Sequence, residues 1–301
     1  MIPYVGELAA LLTSLLFAAT STFFTLASRR VGSVVLNRTR LVVAVLLVTA
    51  AHLLIQVPLP FQAAPERWLW FTLSGLAGLV LGDAFLYQAF VWIGPRLTML
   101  MMALHPAIAI LLAWLFLGES LTLVQLFGIA LTLSGVAWVV TDRAAPVDQP
   151  AADRRQYLLG LLYGLGAATG QASGLVLARP GLADGFPALS GTLIRMFTAA
   201  IFLWAYTLLR RQVRPTLQTL ASRPQALRYI LAGSITGPFL GVTFSLFAIQ
   251  NAEVGVASTL MALPPVILLP ISRFIFKEQL GWRAITGTLL AIAGVGVLFL
   301  V

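Results

Sequence analysis

Apolar runs of about 20 residues follow one another almost from end to end of this chain, parted only by short polar or proline-bearing breaks. A helix of that length crosses a bilayer core of roughly 30 Å, because each residue advances about 1.5 Å. Nothing alternates at period two for long, which argues against a transmembrane barrel, and in lipid a helix satisfies its own backbone polar groups. Composition agrees. Of 301 residues 59% are apolar and 10% charged, against roughly a quarter charged in soluble domains. The expectation is an all-α membrane protein.

Ten spans can be drawn: Val5–Ser28, Val31–Val57, Trp68–Trp92, Pro95–Leu117, Leu121–Thr141, Tyr157–Ala178, Pro187–Leu209, Gln225–Gln250, Val254–Phe276 and Leu280–Val301. The N-terminus lacks a basic n-region and a small-residue cleavage site, so the first of these reads as a retained helix. Residues 78–142 return in diverged form as 237–301, at a constant offset of 159. The registers include Gly78 with Gly237, Gly82 with Gly241, Phe85 with Phe244, Pro106 with Pro265, Glu119 with Glu278 and Gly128 with Gly287. Earlier in each copy Gly6 answers Gly160 and Arg40 answers Arg195. The chain therefore divides into a first five-helix repeat at 1–141, a polar linker at 142–156 and a second five-helix repeat at 157–301. An odd number of spans per copy turns the second copy upside down. Such inverted repeats are related by an axis in the membrane plane and place a transport site near the midplane between them.

Of the 19 basic residues, 16 fall at odd-numbered connections or the helix ends beside them, for example Arg29, Arg30, Arg210, Arg211, Arg214, Lys277 and Arg283. The even connections hold Arg67 and Arg179, and Arg195 lies inside a span. The positive-inside rule then puts both termini outside the cytoplasmic (inner) membrane. The same asymmetry accounts for the net charge of +9 without a nucleic-acid partner. The chain has no cysteine, which excludes disulfides, Cys-bound zinc and thiol chemistry.

Ten spans in two copies, an Arg early in each second helix (Arg40, Arg195), a Pro in each fourth (Pro106, Pro265), Gly118-Glu119 and Lys277-Glu278 closing those fourths, and Gly128 and Gly287 in the fifths together resemble the EamA family of the drug/metabolite transporter (DMT) superfamily. The resemblance covers essentially the whole chain and implies a carrier that exports amino acids, metabolites or toxic compounds. It also implies cytoplasmic termini for some relatives. The charges here point the other way and are followed.

The residues offer few polar groups for such a task. Asp83 is the one acid well inside an apolar span, where a carboxylate costs a few kcal/mol unless paired or used. Three readings stand side by side: an ion pair with Arg40 or Arg195, a proton-coupling carboxylate, or contact with a cationic group of the solute. Tyr87 and Gln88 share its stretch. His105 precedes Pro106 and is either a satisfied polar residue or a proton relay, whereas His52, near a helix end, reads as interfacial. Thr20, Gln171, Ser258 and Thr259 add modest hydrogen-bonding groups, and Met99, Met102, Phe244 and Phe247 adaptable apolar walls. Glu119 and Glu278 read as caps for the next helix.

Glycines four apart line Gly78 and Gly82, Gly166, Gly170 and Gly174, and Gly233, Gly237 and Gly241. They allow either static close packing or sliding of span three and its mate span eight, each expected to pack closely within its own copy. Pro106 and Pro265 are expected to kink spans four and nine, as hinges or as fixed bends, with Pro264 and Pro270 distorting span nine further.

Rival classes fare less well. There is no His-Glu-x-x-His motif, no phosphate-binding loop, and only one deep acid where aspartyl intramembrane proteases or prenyl transferases would want two or more. A lipid-linked flippase shares the architecture and is distinguished by a cavity opening sideways to lipid, and a scaffold would need no matched prolines. The sequence implies no cofactor and is silent on the solute, the driving gradient and the oligomeric state.

Overall fold

The computed structural model describes residues 4–117, 122–140, 154–178, 180–251, 260–277 and 280–298. Among these there is no strand. Five helices, Val5–Val31, Ser33–Leu54, Pro65–Met102, Arg154–Ala178 and Leu189–Leu209, are long and apolar enough to cross a membrane, with shorter apolar helices after them. Large apolar side chains such as Leu8, Leu15, Leu46, Leu115, Phe116 and Phe202 stand exposed on the bundle's outer face. So much exposed apolar surface is what lipid contact requires and water would not tolerate. The chain is a multi-pass membrane protein.

In chain order the helices are α1 Val5–Val31, α2 Ser33–Leu54, α3 Pro65–Gly75, α4 Asp83–Met102, α5 His105–Leu117, α6 Leu123–Val140, α7 Arg154–Ala178, α8 Ala188–Leu209, α9 Val213–Ala221, α10 Pro224–Ser234, α11 Val242–Asn251, α12 Pro264–Phe274 and α13 Trp282–Leu298. A wide π-helical segment, Leu76–Gly82, joins α3 to α4 without a break, and a second, Ile235–Gly241, joins α10 to α11. Two links are a single glycine long. Gly32 (φ 82°, ψ 155°) reverses the chain between α1 and α2, and Gly94 (φ 74°, ψ 170°) interrupts α4 just before Pro95. Positive φ with extended ψ is open to glycine and nearly closed to other residues. Thr98 then steadies the restart, its hydroxyl donating to Gly94 O at 2.7 Å.

The elements recur at the offsets read from the sequence. The starts of α3, the first π segment, α4, α5 and α6 fall 159 residues before those of α10, the second π segment, α11, α12 and α13, and α2 and α8 share both bounds at an offset of 155. Packing between the halves is reciprocal. α1 lies against α10, the second π segment and α11, while α7 lies against α3, the first π segment and α4; α2 meets α8, and α6 meets α13.

That exchange corrects the expected glycine packing. Span three packs closely on α7 of the other half, not within its own copy: a Cβ on Gly170 would stand 2.6 Å from Gly82 Cα, and one on Gly174 would stand 3.0 Å from Gly78 Cα. Span eight does the same with α1, although there the glycines meet side chains, Gly233 facing Phe24, Gly237 facing Thr20 and Gly241 facing Phe17.

The prolines also sit differently from the kinks foreseen. The fourth span is interrupted at Ala103 and Leu104, and Pro106 is the second residue of the new helix α5; Pro264 and Pro265 likewise open α12. At a helix start the missing proline N–H removes no bond, so these residues fit a restart better than a bend. Pro270 lies inside α12, which runs on to Phe274 instead of breaking there. Between the spans drawn at Pro187–Leu209 and Gln225–Gln250 lies a further short helix, α9. Arg38 holds it, Nη1 donating to Thr216 Oγ1 at 3.0 Å and Nη2 to Gln212 Oε1 at 2.9 Å. His52 is fully buried instead of interfacial, and its Nε2 meets Ser190 Oγ at 3.3 Å, tying α2 to α8.

Candidate functional site

The first π segment builds the polar centre of the bundle. In an α-helix the Asp83 N–H would bond Leu79 O; here it reaches Gly78 O and Val80 O instead. A widened turn frees one carbonyl in this way, and in an apolar interior a freed carbonyl must find a donor. Leu79 O receives Asn37 Nδ2 at 3.3 Å and Arg40 Nη2 at 3.4 Å.

Asp83 follows at the start of α4 and is 4% exposed, with Arg40 at 3%. Arg40 Nη2 pairs with Asp83 Oδ2, and Gln171 Nε2 of α7 donates to Asp83 Oδ1 at 2.6 Å and to Gly78 O at 3.4 Å. Asn37 Oδ1 accepts from Arg40 Nε at 3.0 Å, and the Tyr87 ring lies 5.2 Å from the guanidinium carbon, within cation–π range. Both carboxylate oxygens are thus engaged, one by a cation of the same half and one by an amide of the other. Of the two arginines foreseen as partners, Arg40 is the one that pairs.

Arg195, its counterpart on α8, stands at the edge of this network. Its Nη2 would be 3.3 Å from a Cβ on Gly78, and Gln171 Oε1 would be 3.4 Å from the same point. It lies within electrostatic reach of Asp83, but the ion pairs among the described residues are Arg40–Asp83 and Arg67–Asp184. Arg195 Nε is buried with no hydrogen-bond partner. His105, at the start of α5, lies beside the Gln171 backbone and within electrostatic reach of Arg195. Arg195, Gln171, His105 and Met102 all stay partly exposed, whereas Asp83, Arg40 and Tyr87 are closed off.

The other residues singled out from the sequence are dispersed. Gln88 turns away from Asp83, its Oε1 accepting from Ser33 Oγ at 2.7 Å at the start of α2. Thr20 Oγ1 lies 2.8 Å from Thr236 Oγ1 of the second π segment and donates to Leu16 O of its own helix at 2.7 Å. Phe244 packs with Ala9, Ala10 and Ala248, and Met102 packs against the cluster around Ile93, Leu97 and Met101. Gly82 and Gly241 form helix contacts, and Pro106 and Pro265 the helix restarts already described. Ser258 and Thr259, Glu119 and Glu278 lie outside the described residues, as does the Phe247 side chain. Among the described residues no cluster of His, Asp or Glu could hold a metal ion.

As a site residue, Arg195 is offered by the sequence only as a partner for Asp83. Its own signal, a second intramembrane guanidinium against a single carboxylate, was present in the sequence but requires the Arg40 pairing to become visible.

A solved crystal structure of a protein superposes on 97% of this chain and 96% of its own with a TM-score of 0.66, at 17% sequence identity, which establishes likeness of fold. No protein among curated sequences matches the chain. The EamA-like transporter family model matches it twice, over residues 4–141 and 158–300, and these two matches end either side of the polar linker and take in both arginines, both π segments and both helix restarts: the chain belongs to the EamA-like transporter family.

Proposed function

We propose that the protein is an alternating-access carrier, built as two inverted five-helix repeats of ten spans in all, that moves a small polar solute out across the cytoplasmic membrane with both termini extracytoplasmic. The observation that carries this reading is the reciprocal packing of the halves around two interrupted fourth spans at the same register. Irregular backbone at membrane depth is tolerated where it is enclosed by protein or lines a cavity, and it tends to mark the path of the solute. In the proposed cycle the polar groups at the α7–π contact form the centre of that path. Rocking of one half against the other exposes it to either side, and the glycine contacts across the halves provide smooth surfaces for that movement.

Asp83 is bound on both oxygens, which supports a role in joining the halves through Gln171 more than one as a freely titrating proton carrier. Reconstitution into liposomes with a panel of small solutes, under imposed pH and voltage gradients, tests the carrier and its coupling together. Solute-specific flux is the expected result, and a tight protein-bearing vesicle that moves none of the panel counts against it. A flux driven by a pH gradient in wild type and lost in Asp83→Asn, with passive exchange retained, would restore proton coupling to Asp83. A reporter fused after Val301 that is active only in the cytoplasm would overturn the orientation.

A further inference from the structure

We propose that Arg195 is the binding group for a carboxylate on the transported solute, an inference that rests on the carrier reading and names the chemistry of its site. The polar centre contains two guanidinium groups and one carboxylate. Arg40 takes the carboxylate, and Gln171 takes its second oxygen. Arg195 is left with a buried Nε that bonds nothing and an Nη2 that lies against Gly78, 3.3 Å from where its Cβ would be. A guanidinium held inside an apolar bundle without a counter-ion is costly, so a protein that retains one gains something from it when a partner arrives.

Three features make that partner an anion carried in by the solute. First, Arg195 is eight residues into α8 by count from Ala188, about 10 Å along the axis, too deep for easy escape to the headgroups. Second, it is partly exposed whereas the Arg40–Asp83 pair is sealed, so it is the cation a solute can reach. Third, His105, within electrostatic reach of it, opens the 13-residue helix α5. A helix N-terminus carries partial positive charge and unsatisfied N–H groups, so two sources of positive potential converge on one place. A planar guanidinium accepts a carboxylate through two parallel hydrogen bonds. Gln171 Oε1, across the same glycine, is an acceptor at hand for a donor elsewhere on the solute, such as an amine or hydroxyl.

The test compares purified wild type with Arg195→Gln, Arg195→Lys and Arg40→Gln. In thermal unfolding without solute, Arg195→Gln should melt at or above wild type, because it relieves an unpaired charge, while Arg40→Gln should melt clearly lower. The probes are acetate, benzoate, glycine and alanine, each beside its carboxamide, with inorganic phosphate run alongside. At least one acid should raise the melting temperature of wild type while its carboxamide does not. Its apparent affinity should fall roughly 10- to 100-fold in Arg195→Gln and be partly kept in Arg195→Lys. Equal response to acid and amide, an undiminished acid response in Arg195→Gln, a response to phosphate alone, or no response to any acid overturns the proposal. So does an Arg195→Gln protein that melts as low as Arg40→Gln, which makes Arg195 a structural cation. Vesicle flux is read separately. An acid that binds through Arg195 but never crosses leaves the site standing and removes the carrier, whereas a flux indifferent to Arg195→Gln removes the site and leaves the carrier.

Discussion

The two halves of the molecule share most of their helix starts but not their polar residues. Carried across at the structural offsets of 155 and 159, Asn37, Asp83, Tyr87 and His105 correspond to Thr192, Val242, Leu246 and Pro264, and at the Gly6–Gly160 offset of 154 Gln171 corresponds to Phe17. Only the arginine is kept, as Arg40 and Arg195. In the first half that cation sits in a shell of donors and acceptors built around one carboxylate. In the second the shell keeps one hydroxyl, Thr192, and is otherwise apolar, and the cation turns instead toward the first half's network. Shared backbone with divided chemistry separates two roles: one arginine is locked into the structure and its counterpart is left available. A symmetric pair of ion pairs would have closed both.

Breaking the locked side should have the largest effect. Asp83→Asn leaves Arg40 buried with its charge uncompensated and should lower stability by about 3–5 kcal/mol. Adding Arg40→Gln to it should recover part of the loss, a coupling that thermal unfolding of the single and double variants would measure. If Asp83→Asn unfolds like wild type, the two arginines are not the contrasting pair described here.

Next comes the glycine contact, which differs between halves in what each glycine touches. Gly170→Ala presses a methyl onto the Gly82 backbone and should cost about 1–3 kcal/mol. Gly237→Ala presses on the Thr20 side chain, Cγ2 at 2.6 Å and Oγ1 at 2.9 Å, instead of on backbone, and should cost less. Equal melting temperatures for the two would erase this difference between the interfaces. Smaller again is Tyr87→Leu, which removes the ring beside Arg40 and should cost about 0.5–2 kcal/mol. Thr20→Val, which loses the bond to Thr236, should cost about 1 kcal/mol.

Much of the plan was legible because glycines, prolines and arginines recur at fixed offsets, and these residues constrain backbone or charge wherever they stand. Gly78 with Gly237 and Arg40 with Arg195 gave the register that the helix bounds repeat. The glycine spacing marked a face without naming what lies against it, so the exchange of α1 and α7 between halves could not be read. Pro106 was visible, but a proline that kinks a helix and one that starts a helix look alike until the backbone before it is known. Gln88 was misplaced for a simpler reason. It lies one residue beyond Tyr87, about 100° around the helix, and so faces Ser33 instead of the carboxylate.

The π segments carry a consequence for tolerance to change in length. A π turn holds one residue more than an α turn, and that residue sets the rotational phase of everything after it, by about 100°. Removing one residue from Leu76–Gly82 would shorten the span by only about 1.5 Å, yet it would swing the whole 20-residue α4 away from its present neighbours. Asp83 would lose Arg40, and Tyr87 would turn toward other helices. A deletion that a surface loop absorbs without effect would here redirect the aim of half a repeat.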